Sequence, residues 1–529
     1  MFILLTVVFL FFGALVLVVL RWFRPAAGSI WLIAAGGGLL AWASVLLWQF
    51  RLPLVFQLPR WEPAHLFLES LSFSADALSW PYAFSIVSLL LAVILTAPAR
   101  GNFPDALQWA ASFVLGGLGV LAVLADNPLS LLMVWAAIDL AELVTQLRSA
   151  SGSQASAKVV NAFATRVAGI GMLLWASMVS ISAGQVMNFQ NVPPQAGLYL
   201  LLAAGLRLGV FPLHLPYAPD TAIRRGFGSM LRLVSVASSL ILLARIPSAG
   251  ILSRLTSFLL FLTVMAALYA GWMWLRFPDS INSRPYWIIG LTALAMASAL
   301  RANPVGAAAW SCALVLAGGA LFLSSAYHLW LKRALWVGLW GISALPLTLT
   351  STGWEGGADL SAGSIFMALI WPALLVAHAF LLAGYYRHLT SLSAQAPLDT
   401  LDRPVRLVYP LGIGVLLLVL VLLGVWGWQG AFQMGAWLPA LSSVLLAGVV
   451  LWLWPRLSLL SPMRAHWVRP ADTATWMDWL FDFLWGLYRL LGRVSHALLS
   501  IFEGEGGILW ALLFLAFFLT LLTQRVSLP

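Results

Sequence analysis

The chain has 529 residues, 62% of them hydrophobic and 9% charged, with mean hydropathy +0.95 and a net charge of +10. Soluble globular chains carry about 25% charged residues, and so apolar a chain cannot clothe a water-soluble surface. That excludes a soluble catalytic domain. The basic excess does not point to nucleic acid, because its residues sit at the ends of apolar runs, where they anchor to headgroups. The single cysteine, Cys312, excludes a disulfide framework and a thiolate metal cluster.

An all-α, polytopic membrane fold follows. About 20 apolar residues cross a bilayer, and hydropathy predicts sixteen spans. They lie near 2–20, 29–49, 79–97, 106–124, 128–147, 161–183, 196–216, 228–247, 254–275, 286–301, 304–328, 334–352, 362–386, 405–427, 434–455 and 507–524. The N-terminal run carries its first positive charges, Arg21 and Arg24, after the apolar stretch. That order is opposite to a cleaved signal peptide, so the first helix is expected to remain.

Residues 472–501 read differently. Trp476, Leu480, Phe483, Leu487, Leu491, Val494, Leu498 and Ile501 recur every three or four positions. Asp478, Asp482, Arg489, Arg493 and His496 lie mostly off that stripe. This pattern predicts an amphipathic lateral helix on the membrane surface. With the N-terminus outside, 19 of the 28 basic residues fall on the inner side and six on the outer. The positive-inside rule then places both termini outside and the lateral helix in the cytoplasm.

Two spans carry an internal proline, Pro212 in the seventh and Pro346 in the twelfth. Within a bilayer a helix break survives only where protein or trapped water satisfies the freed backbone. Broken helices in matching positions of two halves point to an ion pathway built from repeats. Packing kinks are the simpler alternative. The expected organisation is N-terminal helices over 1–105, two inverted five-helix repeats over 106–250 and 251–390, two further spans over 391–460, and the lateral helix with a last span over 461–529.

Charges inside spans are costly and need a partner or a purpose. The fifth span holds Asp139 and Glu142, three apart and on one helical face. Arg166, Arg207 and Arg232 follow in the next three spans. These groups form either a structural salt-bridge knot or a relay for protons or ions, and Arg166 is assigned the structural role. Asp139 or Glu142 is expected to face Arg207 near the break, with Arg232 close by. The second half has an almost uncharged interior, with His378 as its titratable group, and looks a poor conductor. Among the seven histidines none shows paired ligand spacing, so no metal or cofactor is expected, and His214, directly after the break, stands out.

Several stretches resemble the antiporter-like subunits of respiratory complex I, a family that includes Mrp-type antiporters and membrane-bound hydrogenases. The resemblance is closest to the distal sixteen-helix member. Phe73–Ser79 resembles the entry to its third span, and Asp126–Trp135 the start of its fifth. Lys158–Asn161 with Thr165–Val167 resembles the entry to its sixth, and Ala313–Gly319 a segment of its eleventh. Arg207–Leu215 is similar to the family's K-S-A-Q-F-P-L-H stretch and is the most specific match.

The resemblance implies a membrane subunit of an NADH:quinone oxidoreductase-type or Mrp-like proton-translocating assembly. Its partners would be other membrane subunits, lipid, and protons or Na⁺. The departures are specific. The family's fifth-span glutamate falls on Ala136, its seventh-span lysine on Arg207 and its eleventh-span lysine on Cys312, and its twelfth-span lysine has no counterpart after Pro346. Arginine does not deprotonate in proteins, so a divergent paralogue with an impaired pathway is also open. A small-solute transporter and a polyprenyl-dependent glycosyltransferase are the alternatives from other classes.

Overall fold

In a computed structural model of the chain, the residues described are 2–23, 30–59, 70–100, 104–150, 152–217, 225–246, 255–356, 365–392 and 397–459. A helix lies at each of the first fifteen predicted spans. The last span and the lateral helix at 472–501 lie outside the described residues. The helices are α1 (Phe2–Phe23), α2 (Ile30–Trp48), α3 (Ser79–Leu95), α4 (Ala106–Leu124), α5 (Pro128–Ser149), α6 (Ser153–Ser182), α7 (Gly197–Leu208) and α8 (Phe227–Ala244). They continue as α9 (Thr256–Arg276), α10 (Arg284–Leu300), α11 (Pro304–Leu323), α12 (Leu329–Gly341), α13 (Ile365–Ser391), α14 (Arg403–Val425) and α15 (Trp437–Leu459). Eleven are long and apolar enough to cross a membrane. A short antiparallel hairpin, β1 (Leu54–Gln57) and β2 (Ser72–Ala75), joins α2 to α3 and was not anticipated from the sequence.

The core runs through four helices. Every residue of α3 from Ser79 to Ile94, of α8 from Gly228 to Ala244, of α10, and of α11 from Gly306 to Leu323 is buried. A helix that is apolar all round belongs inside. Glycines allow the close approach: a Cβ at Gly119 on α4 would meet Val234 of α8 at 2.5 Å. Around this core α1, α2, α5, α6 and α15 present exposed leucines, valines and tryptophans outward.

Both interrupted spans are shorter than predicted, and neither helix ends at its proline. In the seventh, α7 stops at Leu208, and Gly209 caps it in the left-handed region at φ 77°. The N–H groups of Val210 and Phe211 both fold back onto the Gly205 carbonyl, at 3.0 and 3.2 Å. A β-carbon at Gly209 would strike the His214 carbonyl, so glycine is required there. In the twelfth, α12 stops at Gly341. Ala344 and Leu347 then adopt positive φ, and a 3-10 turn covers Ser351–Trp354. The Thr350 hydroxyl donates to the Gly341 carbonyl (2.9 Å) and accepts from the Ala344 N–H (3.0 Å), so local groups satisfy this buried break.

Candidate functional site

Asp139, Glu142, Arg166 and Arg207 converge between α5, α6 and α7. The helix period puts Asp139 and Glu142 on the inward face of α5, where both are buried. α6 packs along α7, bringing Arg166 and Arg207 to the same level. Arg207 donates from both terminal nitrogens to the two oxygens of Asp139, at 2.6 and 2.8 Å. Arg166 makes the same fork to Glu142, its second arm at 2.8 Å, and lies 3.7 Å from Asp139. Two acids and two bases thus close on each other, each base by a planar, charge-assisted fork. Buried charges survive only when paired and hydrogen-bonded in this way.

Further groups complete the cage. Arg207 Nε donates to the Ser239 hydroxyl on α8 (3.0 Å), and its guanidinium lies 4.0 Å over the Trp135 ring. Gln146, one turn after Glu142, donates to it at 2.6 Å. Arg166 also donates to the Pro216 carbonyl at 3.2 Å, tying the network to the chain beyond the α7 break. Sequence reasoning missed Trp135, Gln146 and Ser239. Gln146 and Trp135 had a local signal, each four residues from an acid of α5, and Ser239 had none. A small cleft lined by Asp139, Glu142, Gln146, Phe163 and Arg166 opens beside the acids. It has room for about one water molecule.

The other predicted residues lie around this core. Arg232, on α8, stacks at 4.5 Å over the Tyr217 ring. His214 places Nδ1 at 2.7 Å from the Pro212 carbonyl. Because a carbonyl only accepts, that nitrogen carries the proton and Nε2 is left as a bare acceptor. Nε2 has no partner among the described residues. Pro212 lies within the break rather than at its start, and Pro346 likewise.

In the second half His378 reaches from α13 to the Ile342 carbonyl at the α12 break (2.9 Å), between the rings of Trp310 and Trp354. Cys312 is buried on α11. Arg301, the residue after α10, is buried, and it donates to the carbonyls of Ala297, Gly353 and Trp354 at 2.8–3.0 Å. Among the described residues no group of three or more His, Cys, Asp or Glu side chains could hold a metal ion.

No protein-family model and no curated protein matches the sequence. Solved structures do. A chain in the Mrp complex from Dietzia sp. DQ12-45-1b superposes on all of this chain with TM-score 0.70 and 16% identity. The chain shares that subunit's fold. It spans 63% of the Mrp chain's length. A subunit of the membrane-bound sulfane sulfur reductase, an archaeal respiratory membrane complex, matches over 98% of this chain and 99% of its own, with TM-score 0.57 and 14% identity. Both likenesses are of fold. They agree with an all-α multi-pass membrane protein.

Proposed function

We propose that the chain is an antiporter-like membrane subunit of a multi-subunit proton-translocating complex. In this reading the carboxylates of α5, rather than the base on α7, handle protons. The observation that carries it is the continuous run of buried ion pairs Arg207–Asp139–Arg166–Glu142 beside the α7 break. Guanidinium groups hold their charge at any physiological pH. Arg207 and Arg166 therefore act as fixed positive charges, and Glu142, Asp139 and His214 are the groups that can change charge. The cleft reaches Glu142 and lends support to water access there. The helix sets α4–α8 and α9–α13 serve as inverted repeats, each with its fourth member broken, and the complex sits in the cytoplasmic membrane with both termini outside. Na⁺ in place of protons would use the same acids.

The test is proton stoichiometry in inverted vesicles carrying the assembled complex. Arg207→Lys is expected to preserve or raise the protons moved per electron, because lysine keeps the charge and can also release a proton. Asp139→Asn is expected to abolish them. If neither variant changes the ratio while the complex assembles, the network is scaffold and the translocating role is wrong.

A further inference from the structure

A second basic locus lies away from the network, at the N-terminus of α8. Arg100 follows α3, Arg225 precedes α8, and Arg284 opens α10. Arg100 Nη1 presses against Gly226, the residue just before α8, and its other arm donates to the Thr96 hydroxyl at 2.6 Å and the Val93 carbonyl at 3.3 Å. Arg225 donates to the carbonyls of Ser324 and Phe322 at the end of α11. Arg284 donates to the Ser229 hydroxyl (3.0 Å) and the Ile281 carbonyl (2.9 Å), with its guanidinium 5.8 Å from the Phe322 ring.

The three are close enough to repel: Arg225 acts against both Arg100 and Arg284. All the hydrogen bonds that hold them end on neutral oxygens, and among the described residues no carboxylate forms an ion pair with them. Among the described residues Asp279 is the acid whose field reaches Arg225 and Arg284. The unpaired N–H groups of the α8 N-terminus add further positive potential. Arg100 Nε is buried without a hydrogen-bond partner among the described residues. Burial depresses Arg100, which lies outside the spans, to about 10, so the cation is present at neutral pH but poorly compensated.

The locus lies at a membrane boundary, since α3 and α11 end there and α8 and α10 begin there. Its rim is apolar and open: Leu329 and Trp330, the first residues of α12, are 49% and 72% exposed, and Leu407 on α14 is 73% exposed. Excess buried cation, directed donors and an apolar rim together match one chemistry, a phosphate carried on hydrocarbon chains. We propose that Arg100 and Arg225, backed by the field of the buried Arg284, form a binding site for the phosphate of an acidic lipid headgroup, whose acyl chains lie against the α12 and α14 rim.

The test is lipid retention by the full chain in neutral detergent, titrated with phosphatidylglycerol and read by native mass spectrometry. Phosphatidylcholine and inorganic phosphate serve as separate arms, and Arg403→Gln, at an exposed site elsewhere, is the control. Each arginine at a membrane surface changes affinity about fivefold, so Arg100→Gln with Arg225→Gln should weaken phosphatidylglycerol about 25-fold. Phosphatidylcholine binding should be unchanged, which also shows that the variant is folded, and the double lysine variant should keep most of the affinity. Equal affinity of wild type and double glutamine variant overturns the proposal. So does displacement of phosphatidylglycerol by stoichiometric inorganic phosphate, which would make the site one for the free ion.

Discussion

The sharpest expectation concerns unequal costs at the two carboxylates of α5. Asp139→Asn keeps the side-chain shape but removes the charge that receives both arms of Arg207, at 2.6 and 2.8 Å. The new amide can present one oxygen, and its NH₂ group would point a donor at a donor. Breaking one partner of a buried pair costs about 3–5 kcal/mol, because the remaining charge stays buried without compensation. Glu142→Gln removes one partner of Arg166, but Asp139 remains 3.7 Å from that guanidinium and the Pro216 carbonyl at 3.2 Å. Its cost should fall nearer the loss of a hydrogen bond to a charged group, about 1.5–3 kcal/mol. Both variants can be measured by SDS-induced unfolding in mixed micelles, alongside Arg207→Gln and the double variant Asp139→Asn/Arg207→Gln. The double variant should be more stable than the sum of the singles predicts, giving a coupling energy that isolates the pair. An Asp139→Asn chain within about 1 kcal/mol of wild type, against the range for buried pairs, would refute this reasoning. So would Glu142→Gln proving the costlier of the two.

Other expectations are more local. Gly209→Ala forces a side chain into the left-handed region and against the His214 carbonyl, and should destabilise the chain by at least about 1–2 kcal/mol in the same titration. His378→Ala orphans the Ile342 carbonyl at the α12 break and opens space between Trp310 and Trp354. A loss of about 2–5 kcal/mol is expected, whereas a cost below about 0.5 kcal/mol would mean that His378 does not hold the break. At the hairpin, burial works to raise the Asp76 carboxyl, but the charge of Arg245 and hydrogen bonds from Arg245 and Ser79 override it and hold the carboxyl below its usual range. A carboxyl depressed on folding contributes stability above the unfolded value near pH 3.9, and that contribution disappears as pH falls through the folded value. Wild type should therefore lose part of its advantage over Asp76→Asn on acidification from about pH 5 towards pH 2, and an unchanged gap would count against the pair.

The span pattern was legible because a bilayer imposes one length on every crossing, so hydropathy alone located the fifteen described helices. The ion pair between Asp139 and Arg207 was legible for a related reason: a buried arginine must find the nearest acid, and few are available. The sites of the breaks were not. Pro212 and Pro346 drew attention, yet α7 and α12 end four and five residues earlier, at Leu208 and Gly341. The end of α7 is set by the left-handed conformation of Gly209, and an apolar glycine within an apolar run leaves no trace in hydropathy. Ser239 reaches Arg207 from α8 and Trp135 from α5, and which face of each helix meets Arg207 is decided by tertiary packing. Arg284 and Arg301 stand at the two ends of α10, where a charge ordinarily meets water, whereas folding buries both to within 3% of full coverage.

The two breaks are satisfied by different chemistry, and the difference bears on which half can respond to a proton. At the α12 break Thr350 and His378 cover the carbonyls of Gly341 and Ile342, and Arg301 holds those of Gly353 and Trp354 without forming an ion pair to any described carboxylate, so nothing there ties the backbone to a described acid. At the α7 break a carbonyl is held by Arg166, the same group that grips Glu142. Neutralising Glu142 removes the stronger of that arginine's two electrostatic partners and leaves Asp139 at 3.7 Å as the alternative. Asp139 is already shared with Arg207, so an approach by Arg166 must loosen that fork or draw on the free lone pairs of the carboxylate. A charge change at α5 therefore has a direct mechanical path to the chain beyond α7, carried by one side chain. Arg166→Gln should sever it: the Glu142 carboxylate would stay buried with only Gln146 to meet it, and proton movement should fall even though Asp139 and Arg207 remain paired. If Arg166→Gln assembles and pumps normally, the break and the network are independent, and the coupling must run through Arg207 alone.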